Sequence, residues 1–591
     1  MDKFVSVALS PSQLVAALPP VEAAHRPGES VKDTIESLLI ALILAFVFRA
    51  FIIEAFIIPT GSMAPTLYGA HATVVCEDCG TEFAYGLKDL DDHRDMQQVN
   101  SHSKAICPNC QHAMTNLRVT DERRNPEKGD RILVLKWPFD LGIDALGPQR
   151  WDVVVFKDPA DGVTNFIKRL AGLPNEVVMI LDGDLYAAPT STLTPETLQA
   201  FEELHEQKFE FQNSPRRIGR LKSLPAFVYE ELETKLRITR KAPEAQAALW
   251  RVLYDHDHPP REHDERRQPF WHRASGNDSG WETESRRVRF TSKGAPADFI
   301  ELSGKDIRAS NAYNVFSQSL PPPVSDLRTR FGWTPADPSS VVRVRLEKLG
   351  RAFWGSVHAD GRVAIHESKE PPTESDQPLV SRTIAPIAPG KTVAVVFQNV
   401  DYRVALWIGD EEVLHTADEP ALPGYYGPDI RMLRDMMSRG RSAWRTYRPN
   451  GGAIPPRVYA EGGDCELSHL VVERDTHYYL EESSHRLPEI PWGPVEGWAG
   501  YNSPILLRGH EYFMLGDNTS ASKDSRLWDV IGPHLKDRGR DFQLGTVPRD
   551  QLIGKAFYVY WPYGHRLDWL PIPGLNRVGI IPDVGRMRWI R

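Results

Sequence analysis

At 591 residues the chain is too long for one compact core, and length alone predicts about four domains. Its 41% hydrophobic and 25% charged content is that of folded protein, and a net charge of −9 argues against a surface built to hold nucleic-acid phosphates. The 47 prolines favour loops and short strands over long helices.

In chain order, the first predicted element is an apolar stretch from Leu38 to Ile58, broken only by Arg49 and Glu54. As a helix it would be about 31 Å long, close to the hydrocarbon thickness of a bilayer. Either Arg49 snorkels, or the span runs instead from about Ile35 to Ile53. The alternatives are a buried core helix and a cleaved signal peptide; the length speaks against the first and the long leader against the second. Lys3, Arg26 and Lys32 precede the stretch, and no Lys or Arg occurs from Pro59 through Leu87. The positive-inside rule then puts the N-terminus in the cytoplasm and the bulk of the chain outside it.

Pro59-Thr60-Gly61-Ser62-Met63-Ala64-Pro65-Thr66-Leu67 follows. Alone, a serine beside a glycine means little. Next come Cys76-x-x-Cys79 and Cys107-x-x-Cys110. Four thiolates in two such knuckles suit a closed tetrahedral zinc site, with Gly80 and Asn109 expected at the turns. Two disulfides are the alternative, since the expected compartment is oxidising. His93, His102 and His112 lie nearby and read as surface residues, and Cys465 has no obvious partner.

Asn165-Phe166-Ile167-Lys168-Arg169-Leu170 predicts a strand with Lys168 and Phe166 on one face. A lysine in a strand is ordinarily a solvated residue. To act as a base its pKa must fall from about 10.4 to about 7–8, a cost of about 4 kcal/mol that apolar burial can supply. Glu196–Leu204 and Glu244–Tyr254 predict helices. Val342, Val344 and Leu346 then alternate with Arg343, Arg345 and Glu347, and similar strands follow over Thr392–Gln398, Tyr402–Ile408 and Glu411–Thr416. Many short strands with turn signals imply an antiparallel sandwich. Asp255-His256-Asp257-His258 reads as a polar loop, with metal binding the rarer alternative. Gly516-Asp517-Asn518 and Ser522-Lys523-Asp524-Ser525-Arg526 close the set.

Taken jointly, the Ser62 segment, Gly129-Asp130-Arg131-Ile132-Leu133-Val134-Leu135-Lys136, the Lys168 segment and the Gly516–Arg526 segment resemble the boxes of type I signal peptidases, the bacterial leader peptidases. Arg150-Trp151-Asp152-Val153-Val154-Val155-Phe156, Gly172-Leu173-Pro174 and the stretch from Val547 to Pro562 extend the likeness. The resemblance implies a Ser–Lys dyad: Ser62 as nucleophile, Lys168 as general base, Ser522 orienting the lysine, and the Ser62 backbone N–H with the Thr60 hydroxyl holding the oxyanion. Asp524 and Arg526 would form a supporting ion pair, with Asp517 also in support. Phe56, Ile58, Met63, Leu67, Phe166 and Ile167 would line shallow pockets for small side chains, ordinary core packing being the alternative for each. Trp151 replaces a common Gly, Asn175-Glu176 replaces Gly-Asp and Thr519 replaces a common Arg.

The fold class expected is therefore mainly β: an antiparallel catalytic domain after one N-terminal transmembrane helix, with a small four-cysteine ribbon lobe and a large inserted sandwich. The expected boundaries are 1–34 for a cytoplasmic segment, 35–58 for the anchor, 59–75, 116–190 and 491–591 for the catalytic domain, 76–115 for the ribbon and 191–490 for the insertion. Residues 397–408 resemble the laminin-G or concanavalin-like jelly roll, whose members often bind glycans or proteins; a spacer or steric gate over the site is the alternative. The expected function is membrane-bound cleavage of N-terminal signal peptides from exported preproteins. No cofactor is expected for catalysis, a structural zinc is expected, and the partners are preproteins, the lipid bilayer and a glycan or protein ligand of the sandwich. The rival readings are an inactive membrane-anchored adhesion or carbohydrate-binding protein on the same scaffold, and a self-cleaving Ser–Lys repressor protease.

Overall fold

A computed structural model describes residues 27–86, 105–114, 129–140, 143, 146–213, 223–261, 270–274, 279–283, 285–292, 297–302, 307–311, 313, 321–420, 422–439, 454–479, 497–528, 530–536, 538–562, 564–565, 581–582 and 584–590. The chain divides into two units, Met1–Glu54 and Ala55–Arg591. The first carries one α-helix, Pro27–Phe51, whose stretch Lys32–Phe51 has a mean hydropathy of 2.1 and is long and apolar enough to cross a membrane. The helix ends at Phe51, close to the alternative limit at Ile53 and short of Ile58. Ile53–Ile57 is instead a strand, and from Ala55 onward it forms the edge of an eight-stranded sheet beside Arg131–Leu135. Apolar runs serve helix and strand alike, so hydropathy offered both limits without choosing between them.

This sheet is drawn from both ends of the second unit. Its order is Ile53–Ile57, Arg131–Leu135, Leu552–Trp561, Val153–Lys157, Asn165–Gly172, Glu511–Leu515 and Val547–Pro548, with Arg588–Trp589 also on Leu552–Trp561. The recorded pairings are antiparallel, and β-branched and aromatic residues fill the strands. A four-stranded sheet adjoins it, ordered Arg237–Ile238, Asp184–Pro189, Glu176–Leu181 and Ile505–Leu507.

Two positions where the sequence resemblance implied glycine have left-handed backbone. Trp151 has φ 73° and Asn175 has φ 62°, both left-handed. Asparagine tolerates this region; tryptophan does not. The Trp151 indole donates to the Arg240 carbonyl at 3.1 Å, and Lys241 Nζ lies 5.7 Å from its ring centre, so the insertion supplies contacts that offset the strain.

The insertion opens with helices Pro195–Asn213, Ala226–Lys235 and Pro243–Leu249. The first runs well beyond the expected Leu204. The third stops before the expected Tyr254, because Arg251–Asp255 is recruited as a strand against Cys465–Arg474. Two antiparallel sheets follow, one eight-stranded and centred on Leu327–Pro335 and Cys465–Arg474, the other seven-stranded and centred on Val341–Lys348 and Arg457–Glu461. They face each other closely: a Cβ on Gly355 would stand 2.4 Å from the Phe397 ring of the opposite sheet. The expected strands are present as Val393–Val400, Arg403–Ile408 and Glu411–His415, with the turn between the first two carried by Asp401 and Tyr402 at positive φ.

Every residue of Val341–Lys348 is buried, so its charged face meets protein rather than water. Lys348 Nζ donates to Asp184 Oδ2 at 2.8 Å and also to Asp326. Lys241 bridges Asp401 and Asp475, each at 2.7 Å. Asp184 lies outside the insertion, in the four-stranded sheet, so one buried ion pair fastens the sandwich to it. The Asp184, Asp326 and Asp401 carboxylates lie close enough together to hold a metal ion, but the ammonium of Lys348 already sits on two of them.

Candidate active site

Ser62 lies in a single 3-10 turn, Gly61–Met63, closed by the Ala64 N–H on the Gly61 carbonyl at 3.0 Å. Lys168 comes from the strand Asn165–Gly172, in register with Val154. Its Nζ is 2.8 Å from Ser62 Oγ and donates to the Ile167 carbonyl at 2.9 Å. The Phe166 ring centre is 5.3 Å away, on the side the alternation predicts. Lys168 is only 4% exposed. Burial lowers its pKa from 10.5 to about 8, against the pull of Asp524, Asp517 and Asp158. The pair has the geometry of a nucleophile and its base.

The segment after Glu511–Leu515 holds this turn from behind. The Asn518 N–H donates to the Ser62 carbonyl at 3.1 Å and its Nδ2 to the Gly61 carbonyl at 2.9 Å. Gly516 is required by close approach: a Cβ there would stand 2.1 Å from Ser522 Oγ and 2.7 Å from the Ser62 carbonyl oxygen. Ser522 Oγ is buried with no hydrogen-bond partner among the described residues, so the expected bond to Lys168 is not formed. Asp524 accepts from the Gly516 N–H at 2.9 Å and pairs with Arg526 at 2.9 and 2.7 Å. Asp517 takes the Arg169 guanidinium in two bonds of 2.8 and 2.7 Å, both side chains fully buried. Burial pushes the Asp517 carboxyl up, but Arg169 outweighs it and holds it below the usual range. Thr60 is exposed and its hydroxyl does not cap the turn.

Of the expected pocket residues, Ile58, Met63, Leu67 and Ile167 are interior members of one apolar cluster and Phe56 packs at its edge. Phe166 packs on a second cluster with Phe156 and Trp528. Arg169 and Asn518 stood inside recognised boxes without an assigned role. Asn311 and Tyr313, which also reach this site, sit in a stretch with no periodicity to mark them.

The four-cysteine lobe is built from two small hairpins, His71–Val75 with Glu82–Gly86 and Ala105–Ile106 with Ala113–Met114. All four cysteines are buried, and none is joined in a disulfide in this structure. Cys76 Sγ is 3.5 Å from Cys110 Sγ, and Cys79 Sγ is 3.6 Å from Cys107 Sγ. Those edges fit a tetrahedron around zinc with bonds of about 2.3 Å. Gly80, at φ 76°, turns the first knuckle as expected; the second is turned by Gln111 at φ 60°, not by Asn109. Asn109 instead exchanges bonds with the insertion, accepting the Asp255 N–H at 2.7 Å and donating to the His258 carbonyl at 2.7 Å. His256 is no ligand: its ring nitrogens meet the Tyr254 hydroxyl and the Ser285 carbonyl. His93 and His102 lie outside the described residues.

A family model described as signal peptidase, peptidase S26, matches residues 31–222 and 478–561. The chain is similar to signal peptidase I of Pseudomonas fluorescens, 29% identical over 174 residues, covering 28% of this chain and 43% of that protein. It is also similar to signal peptidase I of Rickettsia bellii, 27% identical over 26% of this chain and 37% of that one. The Pseudomonas aeruginosa enzyme is 31% identical over 20% and 32%. The chain thus spans less than half the length of these curated relatives. Among solved structures, the carbohydrate binding module CBM66 of Bacillus subtilis aligns with a TM-score of 0.22 at 10% identity, over 34% of this chain and 95% of that one. Sheep galectin-11 aligns at 0.16 and 12%, over 26% and 99%.

Proposed function

We propose, for a chain that belongs to the signal peptidase family through residues 31–222 and 478–561, that it is a membrane-tethered serine endopeptidase removing signal peptides from exported preproteins. The observation that carries this reading is the 2.8 Å approach of a buried, pKa-lowered Lys168 amine to the Ser62 hydroxyl.

Neutral Lys168 takes the Ser62 proton as Oγ attacks the scissile carbonyl. The tetrahedral oxyanion is received by the Ser62 N–H and the Thr60 hydroxyl, donors whose loss typically costs about 10²–10³ in rate. On collapse the C–N bond breaks, and the Lys168 ammonium returns its proton to the departing amine. Lys168 then takes a proton from water as the water oxygen attacks the acyl ester; when the ester C–O bond breaks, the Lys168 ammonium returns that proton to Ser62 Oγ, which restores the dyad. Asp517 and Asp524 tie the loop behind the turn through Arg169 and Arg526. Buried Ser522 acts on Lys168 only once a small rearrangement brings them together.

The substrate enters as an extended strand, small side chains turned to the Phe56, Ile58 and Ile167 side of the site. The helix Pro27–Phe51 is the membrane anchor, with the second unit on the extracytoplasmic side. Shared residence in the bilayer raises the effective concentration of preproteins that are themselves membrane-held. Cys76, Cys79, Cys107 and Cys110 hold a structural zinc that does not take part in the chemistry. The sandwich is fastened to the rest of the fold through the Lys348–Asp184 ion pair.

The test is cleavage of a membrane-inserted preprotein bearing small residues at its cut site. Ser62→Ala and Lys168→Ala should each abolish processing while the protein still accumulates. Full processing by either variant would overturn the reading.

A further inference from the structure

The orientation of the Ser62 N–H depends on the two carbonyls that flank it. The Gly61 carbonyl accepts from Asn518 Nδ2 and from the Ala64 N–H, and the Ser62 carbonyl accepts from the Asn518 N–H. Asn518 therefore clamps the peptide on both sides of the nucleophile. A clamp needs its own amide plane fixed, because a half-turn of that side chain would set an oxygen against the Gly61 carbonyl oxygen. What fixes it comes from the insertion: Asn311 Nδ2 donates to Asn518 Oδ1 at 3.0 Å.

Asn311 is itself held. Its Oδ1 accepts the Tyr313 N–H at 3.1 Å. The Tyr313 hydroxyl donates to the Ala70 carbonyl at 2.7 Å, and its carbonyl accepts the Gly86 N–H at 2.9 Å. Its ring fills the space beside Gly61, where a Cβ would stand 2.0 Å from the ring edge. Just before Asn311, the Ser310 carbonyl accepts from Arg474, at the end of a central sandwich strand. These residues lie outside both segments that match the family model.

We propose that Asn311 and Tyr313 are positioning residues for Ser62, so that the inserted sandwich supplies part of the frame that aims the nucleophile and its N–H. The inference rests on the peptidase reading. It makes the insertion a working part of the enzyme: Asn311 sets the Asn518 amide, Asn518 sets the Gly61-Ser62 peptide, and Tyr313 closes the space into which Gly61 would otherwise move.

The test uses the full chain in detergent-solubilised membrane and a purified preprotein with small residues at its cut site. Asn311→Asp keeps the size of the side chain and an oxygen for the Tyr313 N–H, but replaces the donor facing Asn518. Its kcat should fall about 5- to 10-fold, the worth of one hydrogen bond, with KM within about twofold of the parent. The melting temperature should hold. Tyr313→Phe, which keeps the ring and drops the Ala70 bond, should fall less. In an Asn518→Ala background Asn311→Asp should bring no further loss, since the two act in series. An unchanged kcat in Asn311→Asp, a rise in KM alone, losses that multiply in the double variant, or a loss matched by loss of folded protein would each overturn the proposal. No Ser62-dependent cleavage by the parent chain would overturn the peptidase reading, and this inference with it.

Discussion

Lys168 and Ser62 stand 106 residues apart in sequence and 2.8 Å apart in space, with the lysine almost wholly withdrawn from water. Among the described residues, the amine contacts a backbone carbonyl, the serine hydroxyl and an aromatic face, and no carboxylate reaches it directly. The fold thus keeps an ammonium-bearing residue where the charged form is disfavoured.

That arrangement costs stability. The Lys168 pKa falls from 10.5 in the exposed state to about 8 in the fold. The unfolded chain binds this proton more tightly, so the penalty is full below pH 8 and fades as pH rises from 8 to 10.5. Lys168→Met should therefore be inactive yet more stable at neutral pH, by about 1–3 kcal/mol, the gain shrinking toward pH 10. Thermal unfolding at pH 7 and pH 10 checks it; a variant less stable than the parent at pH 7 would contradict it.

The Lys348–Asp184 pair makes a different demand. Burial disfavours the Lys348 ammonium, but Asp184 and Asp326 outweigh it and hold its pKa well above the usual range. Lys348→Met leaves those two carboxylates buried without their cation, which should cost about 3–5 kcal/mol. Denaturant unfolding measures the loss. Limited proteolysis should find the junction between sandwich and catalytic half first, and an unchanged midpoint would show that the pair does not fasten the two.

The four-cysteine lobe should carry one zinc per chain. Cys76→Ser should abolish zinc binding and lower stability, while chelator should act slowly on the folded parent and quickly during refolding. Metal analysis of the purified chain is the check, and a chain that folds normally without zinc would contradict the structural role.

Much of the site was legible because the chemistry is carried by short local boxes. Ser62 meets Lys168, Asp517 pairs with Arg169 and Asp524 pairs with Arg526, each contact joining residues from those boxes. The sandwich was legible in its two-residue alternation, although Arg343, Arg345 and Glu347 proved as buried as the valines between them. Periodicity reports that a strand has two faces; it does not report that protein covers both. The strand after Phe51 and the conversion of Arg251–Asp255 from helix to strand were set by pairing partners far along the chain. Asn311 and Tyr313 had no signal at all, because their roles exist only through contacts with Asn518, Gly61 and Ala70.

The pH dependence of kcat/KM for preprotein cleavage tests most directly whether Lys168 works as a neutral base. Only the free amine can take the Ser62 proton, so the rate should climb about tenfold per pH unit below the lysine pKa. It should level off above about pH 8, where Lys168 has lost its charge. A profile already flat between pH 6 and 9, or one that falls as the lysine deprotonates, would contradict the account.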